Sequence, residues 1–324
     1  MVKREEYLRR LQEWKDEQVI KVVTGIRRCG KSTLLSQYQD YLLNNGIEEQ
    51  QIISINFEEL EYEELTDYKR LYAYIKERLY DKGMTYIFLD EIQKVPSYEK
   101  VVDSLYVKKG TDIYITGSNA HMLSSDLATL LTGRYVEISM LPLSFKEYCK
   151  QTGDRPDKGF SEYMKNGGMP YVASMEKTSE KVSTYLEGIY NTVIIKDIED
   201  RQIRKEQDSA KRKITDIVLL KSIAKFLSST IGSPVSVRSV TDYLVSSGRK
   251  GSANTVNDYM EALAESFIFY PVERFDIAGK QLLKVNKKWY MVDLGLRNYI
   301  LPKKHYDLGF SIENIVYFEL LRRN

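Results

Sequence analysis

A chain of 324 residues is long enough for two or three domains, and its 43% hydrophobic and 29% charged residues exclude wholesale disorder. Lys and Arg number 48 against 46 Asp and Glu, a formal net charge of +2, so no global field draws in a polyanion and any nucleic-acid site has to be a local patch. Two cysteines, Cys29 and Cys149, are read as reduced thiols of a cytoplasmic protein, and no apolar run approaches the ~18 residues of a membrane span, so no membrane is expected as a partner.

The opening stretch, "MVKREEYLRRLQEWKDEQ", reads as a charged helix with no apolar signal region. From Val19 to Leu143 short β-branched runs alternate with longer amphipathic stretches, the pattern of crossover units that build a parallel α/β sheet. Five strands are expected: "VIKVVTG" ending at Gly25, "QIISINFEE" at Glu59, "TYIFLDE" at Glu91, "TDIYITGSN" at Asn119 and "RYVEISM" at Met140. Helices separate them, with "VVDSLYV" and "MLSSDLATLL" in the last two gaps. "LPLSFKEYCKQTGDRPDKGF" then breaks the rhythm with proline, glycine and charge and marks the exit from the sheet domain, taken as residues 1–155.

A helical segment follows over 156–213, closing on the locally basic "RQIRKEQDSAKRK". Residues 214–300 read as three helices and then a β-pair, "IFYPVERFD" and "KKWYMVD", which is the winged-helix arrangement, with Ser252 placed to cap the third helix. The amphipathic "GFSIENIVYFELLRRN" within 301–324 stops without a glycine or proline terminator and is taken as the start of a further, truncated region.

Chemistry enters at "GIRRCGKST". Gly25, four residues, Gly30, Lys31 and Ser32 have the spacing of a P-loop, and a strand precedes them while a helix follows. The two glycines let the backbone curl so that consecutive N–H groups face inward, and the helix adds its positive N-terminal end. The phosphate-binding stretch is therefore Gly25, Ile26, Arg27, Arg28, Cys29, Gly30, Lys31, Ser32 and Thr33. Lys31 is expected to reach the β- and γ-phosphates and Ser32 to ligate Mg²⁺, while Thr33 opens the helix and Arg27 and Arg28 add positive potential without a catalytic part.

"TYIFLDE" supplies the acidic partner. Asp90 at the tip of an apolar strand is the metal-side carboxylate, and Glu91 after it fits a general base for the attacking water. Asn119, ending the next strand, is the candidate sensor of the γ-phosphate in preference to Ser118, against the plainer reading of a turn residue. Arg134 in "LLTGRYVEI" is the candidate for transition-state charge, in its own chain or in a neighbour's site, against the alternative of an ordinary surface arginine. No N-K-x-D tetrad is present to read guanine, so adenine is favoured, and two histidines and two distant cysteines support neither a zinc cluster nor a Ser-His-Asp triad.

These residues resemble a family of bacterial and archaeal AAA-type P-loop ATPases in which the ATPase module precedes a winged helix and a restriction-endonuclease-like tail. The blocks "VVTGIRRCGKSTLL", "IFLDEIQKV", "ITGSNA", "LLTGRYVEISMLPLSFKEY", "NGGMPYV", "KKWYMVDLGLRNYI" and "ENIVYFELLRR" carry the resemblance in order along nearly the whole chain. It implies strand order 5-1-4-3-2, ATP and Mg²⁺ as ligands, the P-loop and Asp90-Glu91 roles above, and a nucleotide-linked Asn119 and Arg134. Glu313 would fall in the first helix of the nuclease-like tail, whose acidic and lysine residues are missing here, so no nuclease activity is expected.

Three functions stay open on the residues. One is a Mg²⁺-dependent ATPase that works as a nucleotide-driven switch. Another is a nucleotide-regulated DNA-binding module, with Asn254, Thr255 and Asn257 exposed on the recognition helix beside Arg249 and Lys250, and with Asp258 and Glu261 opposing it. The third is a scaffold in which ATP drives assembly of a homo-oligomer or docking of a protein partner, Arg134 completing a neighbour's site.

Overall fold

Every residue of Ile20–Thr24 (β1) and of Thr85–Asp90 (β3) is buried, as expected of strands inside a parallel sheet with both faces covered. The computed structural model describes residues 2–118, 131, 133–193, 216–249, 251–273, 286–301 and 307–323. Their backbone divides into two compact units, Met1–Gly25 with Cys29–Met140, and Ile26–Arg28 with Leu141–Asn324.

The first unit runs α1 (Glu5–Glu13), β1, α2 (Lys31–Asn44), β2 (Ile52–Asn56), α3 (Tyr68–Glu77), β3, α4 (Tyr98–Tyr106), β4 (Thr111–Gly117) and β5 (Tyr135–Ser139). All neighbours pair in parallel in the order β2-β3-β4-β1-β5, which is the expected order read from the other edge. On one face Val22, Ile87, Leu89, Ile113 and Ile115 pack with Leu71, Ile75, Val101 and Leu105 from α3 and α4. On the other, Tyr38 of α2 meets Phe88 and Tyr114, whose rings stack with centroids 4.8 Å apart. The ends predicted for these strands overshoot: Gly25 and Glu91 have left the sheet, with φ of 145° and 55°. Asn119 and all of "MLSSDLATLL" except Leu131 lie outside the described residues.

A buried ion pair fastens the start of the sheet. Lys21 Nζ donates to Asp112 Oδ1 at 2.5 Å, and both side chains are fully buried. Asp112 also accepts from the Tyr114 hydroxyl at 2.8 Å and from the Asp16 N–H at 2.9 Å, which ties the turn after α1 to β4. Burial pushes the Asp112 carboxyl up and the Lys21 ammonium down, each opposed by the other's charge.

In the second unit the stretch expected as an exit loop contains a helix, α5 (Phe145–Thr152). Ser144 and Glu147 form a capping box at its start, and Gly153 ends it in the left-handed conformation at φ 73°. Phe145 and Tyr148 pack edge-on or tilted against Phe160 and Tyr163 of α6 (Pro156–Asn166), so α5 belongs with the helices that follow. The first unit closes at Met140. α7 (Pro170–Ser174) and α8 (Ser179–Asn191) follow, and "RQIRKEQDSAKRK" lies outside the described residues.

Next come α9 (Ile217–Ser229), β6 (Pro234–Val235), α10 (Val237–Ser246), α11 (Ala253–Glu265), β7 (Phe269–Val272) and β8 (Lys287–Met291). The three strands form one antiparallel sheet in the order β6-β8-β7. β6 has two residues, too few for an alternating pattern to show, and the sequence reading missed it. Ser252 does cap α11, its hydroxyl accepting the Thr255 N–H at 3.1 Å.

Two further helices complete the unit, α12 (Leu294–Ile300) and α13 (Leu308–Arg323). On α13 the Asn314 amide accepts from Met291 N–H and donates to Met291 O, at 2.9 and 2.8 Å, standing in for a strand neighbour of β8. Glu313 accepts from Lys288 at 2.9 Å and from Tyr290 at 2.7 Å, which accounts for it as a docking residue of α13.

Candidate nucleotide-binding site

β1 delivers the chain to the carboxyl edge of the sheet, where ligands of open parallel sheets collect. The turn there starts at Gly25 and ends at Gly30, φ 105°, which caps α2 without a side-chain acceptor. A Cβ on Gly25 would stand 2.1 Å from the Met140 carbonyl oxygen, so the site tolerates only glycine. Arg28 is left-handed as well, at φ 69°, a conformation that costs a non-glycine residue about 1 kcal/mol. Arg28 is exposed and Arg27 half-buried, in keeping with a supporting part.

Cys29 is wholly buried and burial pushes its thiol up, so it packs as a small apolar group. Its carbonyl accepts from Arg4, itself 3% exposed, at 3.3 Å. Arg4 thus braces the loop from the N-terminal segment. The sequence carried no sign of this, since Arg4 stands among other charged residues of an apparently solvated helix.

Lys31 begins α2, buried, with Nζ 3.1 Å from the Gly25 carbonyl and 3.6 Å from Glu91 Oε1. Asp90 ends β3 and accepts from the Ser32 and Thr116 hydroxyls; burial pushes its carboxyl up, with those two hydrogen bonds opposing. Glu91 is 6% exposed in the left-handed region, and its N–H donates to Thr116 Oγ1 at 2.9 Å. Ser118, at the end of β4, donates to Glu91 Oε2 at 3.0 Å, and the Gln93 amide donates to the same oxygen. Lys31, Ser32, Asp90 and Glu91 are therefore in one place, joined by Thr116 and Gln93, which the sequence reading did not single out. Thr116 reads in sequence as one more β-branched strand residue.

Arg134 is not brought to this group. Its carbonyl accepts the Ile20 N–H at 2.8 Å, at the start of β1, whereas the phosphate loop leaves the far end of that strand. Five residues of strand, about 16 Å, separate the two. The guanidinium pairs with Asp103 of α4 and lies over the Tyr106 ring, 5.4 Å from its centroid. That placement sets Arg134 at the opposite end of β1 from the phosphate loop of its own chain.

The residues present fit the implied ligands. Ser32 and Asp90 already touch through hard oxygens, the donor type Mg²⁺ takes, and few protein ligands are needed when phosphate supplies others. Among the described residues no three His, Cys, Asp or Glu form a cage of their own, and no helix is long and apolar enough to cross a membrane.

A strand, a glycine-bounded turn, a lysine at the head of a helix and an acidic pair on the strand two places over define a P-loop domain. Residues 17–149 match the family model described as an AAA domain, and residues 157–307 match a domain of unknown function (DUF8612). The chain belongs to the same family as an uncharacterized protein of Haemophilus influenzae, to which it is 40% identical over 329 residues, covering 100% of this chain and 79% of that one. An uncharacterized protein of Methanocaldococcus jannaschii is 28% identical over 324 residues, covering 94% and 67%. The solved structure of a Walker-type ATPase of Pyrococcus abyssi has the same fold, with a TM-score of 0.59 at 16% identity over 93% of this chain and 96% of that one.

Proposed function

We propose that this chain binds ATP with Mg²⁺ and hydrolyses it, and that the cycle works as a nucleotide-driven switch. The observation that carries the reading is the buried Lys31–Glu91 contact beside the Ser32–Asp90 hydrogen bond. Lys31 has the charge and reach to take β- and γ-phosphate oxygens in place of the Gly25 carbonyl and Glu91. Glu91, released from Lys31, then accepts a proton from the water whose oxygen bonds to the γ-phosphorus as the bond to ADP breaks. Ser32 and Asp90 would hold Mg²⁺, which when bound neutralises phosphate charge. Adenine is favoured because no N-K-x-D tetrad is present.

Titration with ATP and GTP in the presence of Mg²⁺ tests this. Lys31→Ala is expected to lose ATP binding, and Glu91→Gln to keep it while turnover falls about 100-fold or more. Unchanged turnover in Glu91→Gln would remove the base from the mechanism.

A second reading, regulated DNA binding, draws on the strand order β6-β8-β7 around three helices, which supports a winged helix. On α11 only Asn254 of the three named residues is exposed; Thr255 bonds Ser252, and Asn257 donates to Glu261 at 2.9 Å. Lys250 lies outside the described residues. That inventory favours protein contact over a duplex. A gel-shift at low salt with each nucleotide state decides it, since phosphate-driven binding falls steeply with salt.

A further inference from the structure

Glu91 is held at a local cost. Its left-handed backbone, φ 55° and ψ 44°, is disfavoured for a residue with a side chain, and such strain persists where the surroundings over-determine it. Beside it the amide N–H₂ of Gln93 donates to Glu91 Oε2 and lies 3.5 Å from Ser118 Oγ. The carboxylate is thus divided: Oε2 is bound by two neutral donors, Gln93 and Ser118, while Oε1 faces the Lys31 ammonium.

We propose that Gln93 is a positioning residue for Glu91: with Ser118 it ties down one carboxylate oxygen, so that the other stays turned toward Lys31 and the water at the γ-phosphate. This rests on the reading of Glu91 as the base. The short turn Ile92–Lys94 gives the mechanism its rigidity, since Gln93 reaches back two residues and the distance cannot vary with larger motions of the protein. Thr116 closes the arrangement by receiving the Glu91 N–H.

The test compares steady-state turnover and directly titrated ATP affinity in the full chain. Gln93→Met keeps the length and loses the amide; Gln93→Glu keeps the shape and sets a second carboxylate against the first. We expect Gln93→Met to lower kcat about tenfold, with Kd for ATP within about twofold of wild type, the scale of one hydrogen bond to a charged group. Gln93→Glu should fall further, and Ser118→Ala should show a smaller loss of the same kind.

The deciding measurement repeats Gln93→Met in a Glu91→Gln background, with labelled ATP followed long enough to read slow turnover. A residue that works through Glu91 has no further effect there. An equal loss in both backgrounds, or a kcat loss matched by weaker ATP binding, would overturn the positioning role while leaving Glu91 as base. Full turnover in Glu91→Gln alone overturns both.

Discussion

Lys21 and Asp112 show what a buried charge demands of its neighbours. Each is enclosed by the sheet, and each is tolerable because the other is 2.5 Å away and Tyr114, Asp16 and the Glu17 carbonyl meet the remaining donors and acceptors. Asp112→Ala should therefore cost about 3–5 kcal/mol, read as a lowered urea midpoint, because it leaves a lone ammonium in the core. Lys21→Met with Asp112→Leu should recover most of that loss; a double variant as unstable as the single would show that the hydrogen bonds, and not the unpaired charge, set the cost. Residue-scale legibility in sequence follows the same logic. Gly25, Lys31, Ser32, Asp90 and Glu91 could be read because phosphate chemistry fixes residue type and spacing together. Arg4, Thr116 and Gln93 could not, since their parts exist only after the fold sets Cys29, Asp90 and Glu91 beside them.

Elements were legible wherever a periodicity ran long enough. The five strands emerged because buried parallel strands are continuous apolar runs, and their order came from the family resemblance, whereas α5 was hidden by the proline and glycines around it and β6 by its two-residue length. Helix α12 carries the clearest element-scale prediction. Asp293 caps it, accepting Leu296 N–H at 3.1 Å and Gly168 N–H at 2.6 Å, and Gly167 packs so close that a Cβ there would lie 2.1 Å from Asp293 Oδ1. Burial lifts the Asp293 carboxyl from the ordinary 3.8 to about 6, with four backbone N–H groups opposing. A raised acid favours the folded state only while protonated, so its contribution is complete below about pH 4 and is lost as pH rises through about 6. Moving a carboxyl from 3.8 to about 6 corresponds to about 3 kcal/mol. The difference in unfolding free energy between wild type and Asp293→Asn should be largest near pH 4 and smallest above pH 7. A difference that grew with pH would mean the backbone donors hold the anion instead.

Across the whole molecule, the phosphate loop and Arg134 sit at opposite ends of β1. A strand of five buried residues keeps them apart, so a chain working alone is expected to be indifferent to that arginine. Arg134→Ala should turn over ATP at the wild-type rate in dilute solution, and a tenfold slowing there would contradict the geometry. Any defect that surfaces on concentrating the protein is then a property of encounters: chains lacking Arg134 but sound at the loop should be rescued on mixing with Lys31→Ala chains, whose intact arginine completes the sound loop while their own loop stays empty.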